Sequence, residues 1–279
     1  MSDDRYCVIG NPVEHSRSPW IHARFAEQTG ERVAYGKRLA PVDGFPATVR
    51  QFRAEGGRGC NVTVPFKFEA AALAGALSAR AQLAGACNTL VFDGERVFGD
   101  NTDGAGLAGD IRAAGVELAG RDLLLVGAGG AAAGVLGPLL DARPRRLVIA
   151  NRTQGKAQLL VDSHAAVAQA NGAQLVACGL DAIAGAFDVV VNATASSLGG
   201  GPVPVPGRVL RPGALAYDMM YGPAAQPFLD WARAHGAAPR DGLGMLVEQA
   251  AESFLVWRGV RPDTAPVLAG LRALLAAGG

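Results

Sequence analysis

What this 279-residue sequence lacks first is a surplus of charge: 26 Lys and Arg stand against 25 Asp and Glu, a formal net charge of +1. Aromatic residues make up only 6% of the chain. With no basic run and no aromatic platform, there is no footprint for nucleic acid or for an anionic membrane surface, and a small-molecule ligand fits better. Cysteine is scarce, and Cys7, Cys60, Cys87 and Cys178 form no C-x-x-C pair. His15, His22, His164 and His235 fall in no ligand-spaced cluster, which argues against a zinc site. The sequence opens Met1-Ser2-Asp3-Asp4 without a signal-peptide pattern, so a cytoplasmic protein with reduced thiols is expected. No long spanning run is present either. Leu123 to Leu140 is uncharged and approaches the roughly 20 residues of a membrane span. Its glycines and Pro138 break a continuous helix and suit a strand, a turn and a helix instead.

What is present is core-forming material, 49% hydrophobic, in a chain long enough for two domains. Strand and helix patterns alternate, which implies an α/β fold of parallel sheets with helices on their faces. Tyr6 to Ile9, Val33 to Arg38, Gly59 to Val64, Thr89 to Phe92 and Val97 to Gly99 read as strands of a first unit ending near Asn101. Asp93 to Arg96 reads as a turn between the last two. A second unit follows, with later strands at Gln174 to Cys178, Asp188 to Asn192 and Ala214 to Met219 and a loop at Gly199-Gly200-Gly201-Pro202. Beyond Gly242, apolar residues from Leu246 to Leu255 keep helical spacing, and Thr264 with Pro266 reads as the start of a final helix. That tail is expected to fold back on the first unit. The expected division is 1–102, 103–242 and 243–279.

The most informative stretch runs from Leu123 to Thr153. Leu123 to Val126 reads as a buried strand, and Gly127-Ala128-Gly129-Gly130-Ala131-Ala132 fits G-x-G-x-x-G/A, whose small residues let a pyrophosphate approach a helix N-terminus. A second strand, Arg146 to Ala150, ends about 20 residues on, where an NAD site usually carries an acidic residue. Here stand Asn151, Arg152 and Thr153. A carboxylate would repel a 2′-phosphate, whereas the Arg152 guanidinium, the Thr153 hydroxyl and Lys156 suit one, so NADP is expected over NAD.

Three polar clusters in the first unit fall at expected strand ends or helix starts. His15-Ser16-Arg17-Ser18-Pro19 is either a plain N-cap for a helix over Trp20 to Gln28, with Ser18 as the cap, or an anion site in which two hydroxyls hold a substrate carboxylate. In Asn61-Val62-Thr63-Val64-Pro65-Phe66-Lys67, alternation points Asn61 and Thr63 to one face, and Pro65 ends the strand. Lys67 is then a solvated surface charge, or an amine partly buried by Phe66 and Phe68 and suited to proton transfer. Gly99-Asp100-Asn101-Thr102-Asp103-Gly104 is a turn and helix cap, or it supplies a carboxylate, Asp103, that pairs with Lys67.

In this order and over nearly its full length, the sequence resembles the shikimate dehydrogenase family. The resemblance rests on Gly10-Asn11-Pro12 with His15 to Pro19, Asn61 to Lys67, Gly85-Ala86-Cys87-Asn88-Thr89, Asp100 to Gly104, Gly127 to Ala131, Asn151-Arg152-Thr153, Asn192-Ala193-Thr194, Tyr217-Asp218-Met219-Met220-Tyr221 and Gly242 to Ala250. It implies a substrate domain with a mostly parallel sheet, a Rossmann-type doubly wound NADP-binding domain, and C-terminal helices packing on the first. It also implies reversible NADPH-dependent reduction of 3-dehydroshikimate to shikimate, in the route to chorismate and the aromatic amino acids. By resemblance Ser16, Ser18, Asn61, Thr63, Asn88, Asp103, Tyr221 and Gln249 contact substrate, and Lys67 with Asp103 is catalytic. Gly127, Ala128, Gly129, Gly130, Ala131, Asn151, Arg152, Thr153, Lys156, Thr194, Met219 and Gly242 line NADP. A homodimer is compatible with it, and no metal is implied. The chain departs mildly from the family pattern: Ala133 stands where an Arg is common, Lys156 where a second phosphate-binding Arg is, and Ala195 with Ser196 follows Thr194 where a Ser usually comes at once. A relative that also oxidises quinate, and a non-catalytic NADPH sensor, are the alternatives.

Overall fold

The structure, a computed structural model, describes residues 3–194 and 203–277. The chain divides into two compact units, Met1–Gly106 with Leu246–Gly279, and Leu107–Met245. The expected loop at Gly199 to Pro202, and Ala195 with Ser196, lie outside the described residues.

The first unit runs β1 (Asp4–Gly10), α1 (Ser18–Thr29), β2 (Val33–Leu39), α2 (Phe45–Ala54), β3 (Gly57–Val62), α3 (Lys67–Leu73), β4 (Ala76–Leu77), α4 (Ala79–Ala84), β5 (Thr89–Asp93), β6 (Arg96–Asp100) and the start of α5 (Asp103–Ala113). Its sheet has the order β2-β1-β3-β5-β6-β4. β1 pairs in parallel with β2 and β3, β5 is antiparallel to both β3 and β6, and β4 is parallel to β6. The antiparallel step follows from the short turn at Gly94, where φ is 54°, because so short a connection cannot cross over to a parallel partner.

One face of this sheet is filled by Ile9, Phe45, Val49, Phe52, Cys60, Val62 and Phe66. Phe45 and Phe66 stack at 4.9 Å, both fully buried, each burial contributing about 1.5–3 kcal/mol. Phe66 immediately precedes Lys67, so its packing fixes where α3 starts. Aromatic contacts also tie α1 and the sheet to the C-terminal part of the chain: Tyr6 stacks on Trp257 at 4.5 Å, and Phe25 meets Phe254 edge-on at 5.8 Å.

Several local expectations shift. Arg17, not Ser18, occupies the cap position of α1, and no side chain caps there. Ser18 is the first helical residue, and its N–H donates instead to Ser16 Oγ at 3.3 Å. β3 stops at Val62, so Thr63 lies past the strand rather than alternating within it with Asn61. Phe66 is buried but Phe68 is 49% exposed, so only one of the two phenylalanines walls Lys67.

The second unit is entirely parallel. It comprises β7 (Asp122–Val126), α6 (Gly130–Asp141), β8 (Arg146–Ala150), α7 (Gln154–Ala170), β9 (Gln174–Cys178), β10 (Phe187–Asn192), β11 (Leu210–Asp218), α8 (Gln226–Ala234), β12 (Ala238–Arg240) and the first turn of α9 (Leu243–Arg258). The order β12-β11-β10-β7-β8-β9 is that of a doubly wound dinucleotide-binding sheet, with its reversal between β7 and β10. β7 is buried at every position, as a central parallel strand requires. The chain returns to the first unit within α9 and ends in α10 (Thr264–Ala276). Asp263 caps α10, accepting from Ala265 N at 3.0 Å, one residue before the expected Thr264. A carboxylate is the stronger acceptor for a helix N-terminus, and the Thr264 hydroxyl donates instead to Glu248 at 2.5 Å. Among the described residues, no helix is long and apolar enough to cross a membrane.

Candidate active site

In the first unit, the loop between β6 and α5 brings Asp103 to the start of α3. Lys67 Nζ donates to Asp103 Oδ2 at 2.5 Å, and the side chains are 14% and 6% exposed. An ion pair this enclosed needs its remaining lone pairs satisfied. Asn88 does that: its amide donates to Asp103 Oδ1 at 2.9 Å, to Thr102 Oγ1 at 2.8 Å and to Gln249 Oε1 at 3.1 Å. The Asn88 oxygen is in turn fixed by the Thr102 N–H at 2.8 Å and the Thr89 hydroxyl at 2.9 Å.

Asn61 sits beside this group at the end of β3. Its amide donates inward to Asn88 O, Thr89 Oγ1 and Ser253 Oγ at 3.0–3.2 Å, while its Oδ1 accepts from Tyr35 at 2.7 Å. With its donors occupied, Asn61 has only acceptor capacity left, so a ligand group that meets it must be a hydroxyl or another donor. Thr63 takes its place through a close backbone approach. A Cβ on Gly10 would lie 2.2 Å from Thr63 Cγ2, so only glycine at position 10 leaves room for that methyl. Ser16 and Ser18 are linked through Oγ at 3.2 Å beside the first turn of α1, where helix N–H groups have no intrahelical partner.

The segment carrying Asp103 is braced from behind. Arg80 forms a two-pronged contact with Asp100 at 2.7 and 2.6 Å and reaches Glu252 at 2.9 Å. Desolvation pushes the Asp100 carboxyl up, but the Arg80 and Ser78 hydrogen bonds outweigh it and hold the group below the usual range. Behind the serines, His22 is fully buried and stacked on Tyr35 at 4.1 Å, and burial pushes its imidazole down to about 3, so the ring is neutral.

The structure therefore brings Lys67, Asp103, Asn88, Gln249 and Asn61 into one hydrogen-bonded group. Sequence reasoning missed its other members, Thr89, Thr102, Ser253 and Tyr35. Ser253 had a readable signal, since it lies one helical turn after Gln249 on the same face of α9.

Tyr221, expected to contact substrate, belongs to the second unit, just past β11. There the carboxyl ends of β7, β10 and β11 lie side by side at the reversal of strand order. Gly127 has a φ of 113°, and a Cβ would press at 3.1 Å on the Ala193 backbone, so this turn requires glycine. Gly129 is the extended N-cap of α6, and a Cβ there would meet nothing within 4 Å, so an open cradle faces the helix N-terminus. Arg152, Thr153 and Lys156 are exposed beyond β8, and the Asn151 amide holds that turn by donating to Thr153 O at 2.9 Å. Thr194 caps back on Asn192 Oδ1 through its hydroxyl at 2.7 Å. Gly242 lies against Met219, where a Cβ would approach the Met219 carbonyl oxygen to 2.3 Å. Ala128, Gly130 and Ala131 are half-buried along the same turn.

The sequence matches three family models: shikimate dehydrogenase substrate binding domain over residues 8–90, shikimate / quinate 5-dehydrogenase over 110–199, and shikimate 5′-dehydrogenase C-terminal domain over 242–272. It is 68% identical over 276 residues to a shikimate dehydrogenase (NADP(+)) of Acidovorax sp. strain JS42, covering 99% of this chain and 98% of that one. Among solved structures, an Ael1 enzyme from Pseudomonas putida superposes with a TM-score of 0.86 at 47% identity, covering 96% of this chain and 98% of the other. Shikimate 5-dehydrogenase from Thermus thermophilus, in complex with NADP(H) and shikimate, superposes with a TM-score of 0.83 at 32% identity, covering 97% and 99%.

Proposed function

The chain belongs to the shikimate dehydrogenase family, and we propose that it reduces 3-dehydroshikimate to shikimate with NADPH, reversibly, within aromatic biosynthesis. The observation that carries this reading is the enclosed Lys67–Asp103 pair, held by the Asn88 amide on Asp103 Oδ1, with Gln249 and Asn61 in the same hydrogen-bonded group. Lys67 gives its proton to the ring carbonyl oxygen as that oxygen becomes a hydroxyl, and takes it back in the oxidative direction. Asp103 holds the amine in place. Asn61, Thr63, Asn88, Gln249 and Tyr221 read the ring hydroxyls, Asn61 as an acceptor. Ser16 and Ser18 hold the carboxylate beside the first N–H groups of α1.

The second unit suits NADP. Its Gly127 to Ala131 turn leaves the open cradle at Gly129 for a pyrophosphate on the N-terminus of α6. Arg152, with Asn151, Thr153 and Lys156, supplies donors and positive charge for the 2′-phosphate. Thr194, Met219 and Gly242 line the nicotinamide end. When bound, the reduced cofactor supplies the hydride. We assign Met1–Gly106 with Leu246–Gly279 to substrate binding and Leu107–Met245 to the cofactor, boundaries three to four residues later than the expected 1–102, 103–242 and 243–279, so that Asp103 falls with Lys67. We place the protein in the cytoplasm with its thiols reduced; a homodimer is compatible with this reading. Incubating the protein with 3-dehydroshikimate and NADPH deuterated at the transferred position tests the reaction. Deuterium should appear on shikimate; shikimate formed without label, or none formed, overturns the reading.

A further inference from the structure

Asp218 takes no part in the roles assigned above, yet its setting is costly. It ends β11 fully buried, and its Oδ2 has no hydrogen-bond partner. Desolvation pushes its carboxyl up to about 6, against the Met220 N–H, which favours the charged form. An unmatched buried oxygen destabilises a fold, so a purely structural position would be better filled by an apolar residue.

Its neighbour supplies the reason. Asn192 ends β10, is 2% exposed, and is the register partner of Asp218. Both side chains fold back on the turn that follows their own strand. Asn192 Oδ1 accepts from Thr194 N at 3.2 Å and Thr194 Oγ1 at 2.7 Å, and Asp218 Oδ1 accepts from Met220 N at 2.9 Å. Backbone bonds then join these turns in series. Ala193 N donates to Val126 O at 2.8 Å, beside the Gly127 turn; Met219 N donates to Asn192 O at 3.0 Å; and Gly242 N donates to Met220 O at 2.8 Å. Gly127, Thr194, Met219 and Gly242, four residues given cofactor roles, thus lie on turns joined by backbone bonds, two of which are braced by the buried side chains of Asn192 and Asp218.

We propose that Asn192 and Asp218 are positioning residues for the nicotinamide end of the cofactor, holding the Thr194 and Met219 turns in place against the Gly127 turn. This rests on the NADP reading of that edge. Loss of one such hydrogen bond in Asp218→Ala or Asn192→Ala should raise both the KM for NADP and the NADPH dissociation constant, read by NADPH fluorescence, by roughly ten-fold. The KM for shikimate should stay within about two-fold in Asn192→Ala, which loosens the Thr194 turn alone, because every proposed substrate contact but Tyr221 lies in the first unit and Tyr221 follows the Met220 turn held by Asp218. Asp218→Asn keeps an oxygen able to accept from Met220 N–H, so it should recover most of the NADP affinity. A merely structural role would lower the folded fraction and the melting temperature while leaving the KM for NADP where it was. If Asp218→Ala does not fold, Asp218→Asn and Asn192→Ala decide the matter. Folded Ala variants whose NADP KM and NADPH affinity match the parent overturn the proposal. A parent protein that does not bind NADPH overturns instead the reading on which it rests.

Discussion

Replacing Lys67 by Ala removes the one group to which proton transfer is assigned, and the structure sets what should happen. Asp103, whose side chain is 6% exposed in the parent, would keep the Asn88 amide on Oδ1 but lose the Lys67 donor to Oδ2. A positioned acid or base contributes about 10²- to 10⁴-fold, or roughly 2.7–5.4 kcal/mol at about 1.36 kcal/mol per decade. Turnover of shikimate with NADP should fall by that factor. Uncovering one oxygen of a buried carboxylate should also cost about 1–3 kcal/mol of stability. Asn61, Asn88 and Gln249 are held by one another rather than by Lys67, so shikimate affinity should change much less. Steady-state absorbance at the NADPH band gives turnover, and isothermal titration of shikimate into the variant gives affinity. Asp103→Asn should also be slow, and the double variant should lose less than the two single losses combined, because both act through one pair. A folded Lys67→Ala protein with near-parental turnover would refute the assignment and leave Lys67 as a binding charge.

Arg152→Ala should raise the KM for NADP by an amount equivalent to about 1.5–3 kcal/mol and leave that for NAD nearly unchanged; equal losses for both cofactors would remove Arg152 from the 2′-phosphate. The double change Ser16→Ala with Ser18→Ala should weaken shikimate more than NADP in equilibrium titrations, and unchanged shikimate binding would return these residues to shaping the start of α1. Asp218 makes a pH prediction whose sign is opposite to that of the usual ion-paired carboxylate. Its folded pKa is raised from 3.8 to about 6. The group therefore favours the fold below the lower value, and that contribution is lost as pH rises through the upper one. Relative to Asp218→Asn, the parent should lose up to about 3 kcal/mol of unfolding free energy between about pH 4 and pH 6, measured by urea titration; a flat difference would contradict the burial argument.

The parallel sheet of the second unit was legible because its strands are apolar runs in an otherwise mixed sequence, as at Leu123 to Val126, and because Gly127 to Ala131 demands small residues for a steric reason. The end of β3 was not. Val62-Thr63-Val64 continues the alternation, yet Thr63 leaves the strand, packing its methyl against Gly10 as Phe66 sinks into the core. β12 went unread because three residues around Pro239 carry no strand signal, although Pro is acceptable on an edge strand. Lys67 and Asp103 could be nominated as a pair from their places at element boundaries. Their enclosure could not, because it depends on contacts such as Asn61 with Ser253, 192 positions apart, and Asn88 with Gln249, 161 apart. Caps were misread by one residue where adjacent side chains competed, as Asp263 and Thr264 do.

The central claim, an NADP-dependent oxidation of shikimate at Lys67 and Asp103, is tested most directly by following the NADPH absorption band in one experiment that crosses shikimate and quinate with NADP and NAD. Reduction of NADP should require shikimate, exceed the rate with quinate or with NAD, and disappear in Lys67→Ala. A protein that binds NADPH yet reduces neither cofactor with either substrate would contradict the account and leave a cofactor-binding protein without this chemistry.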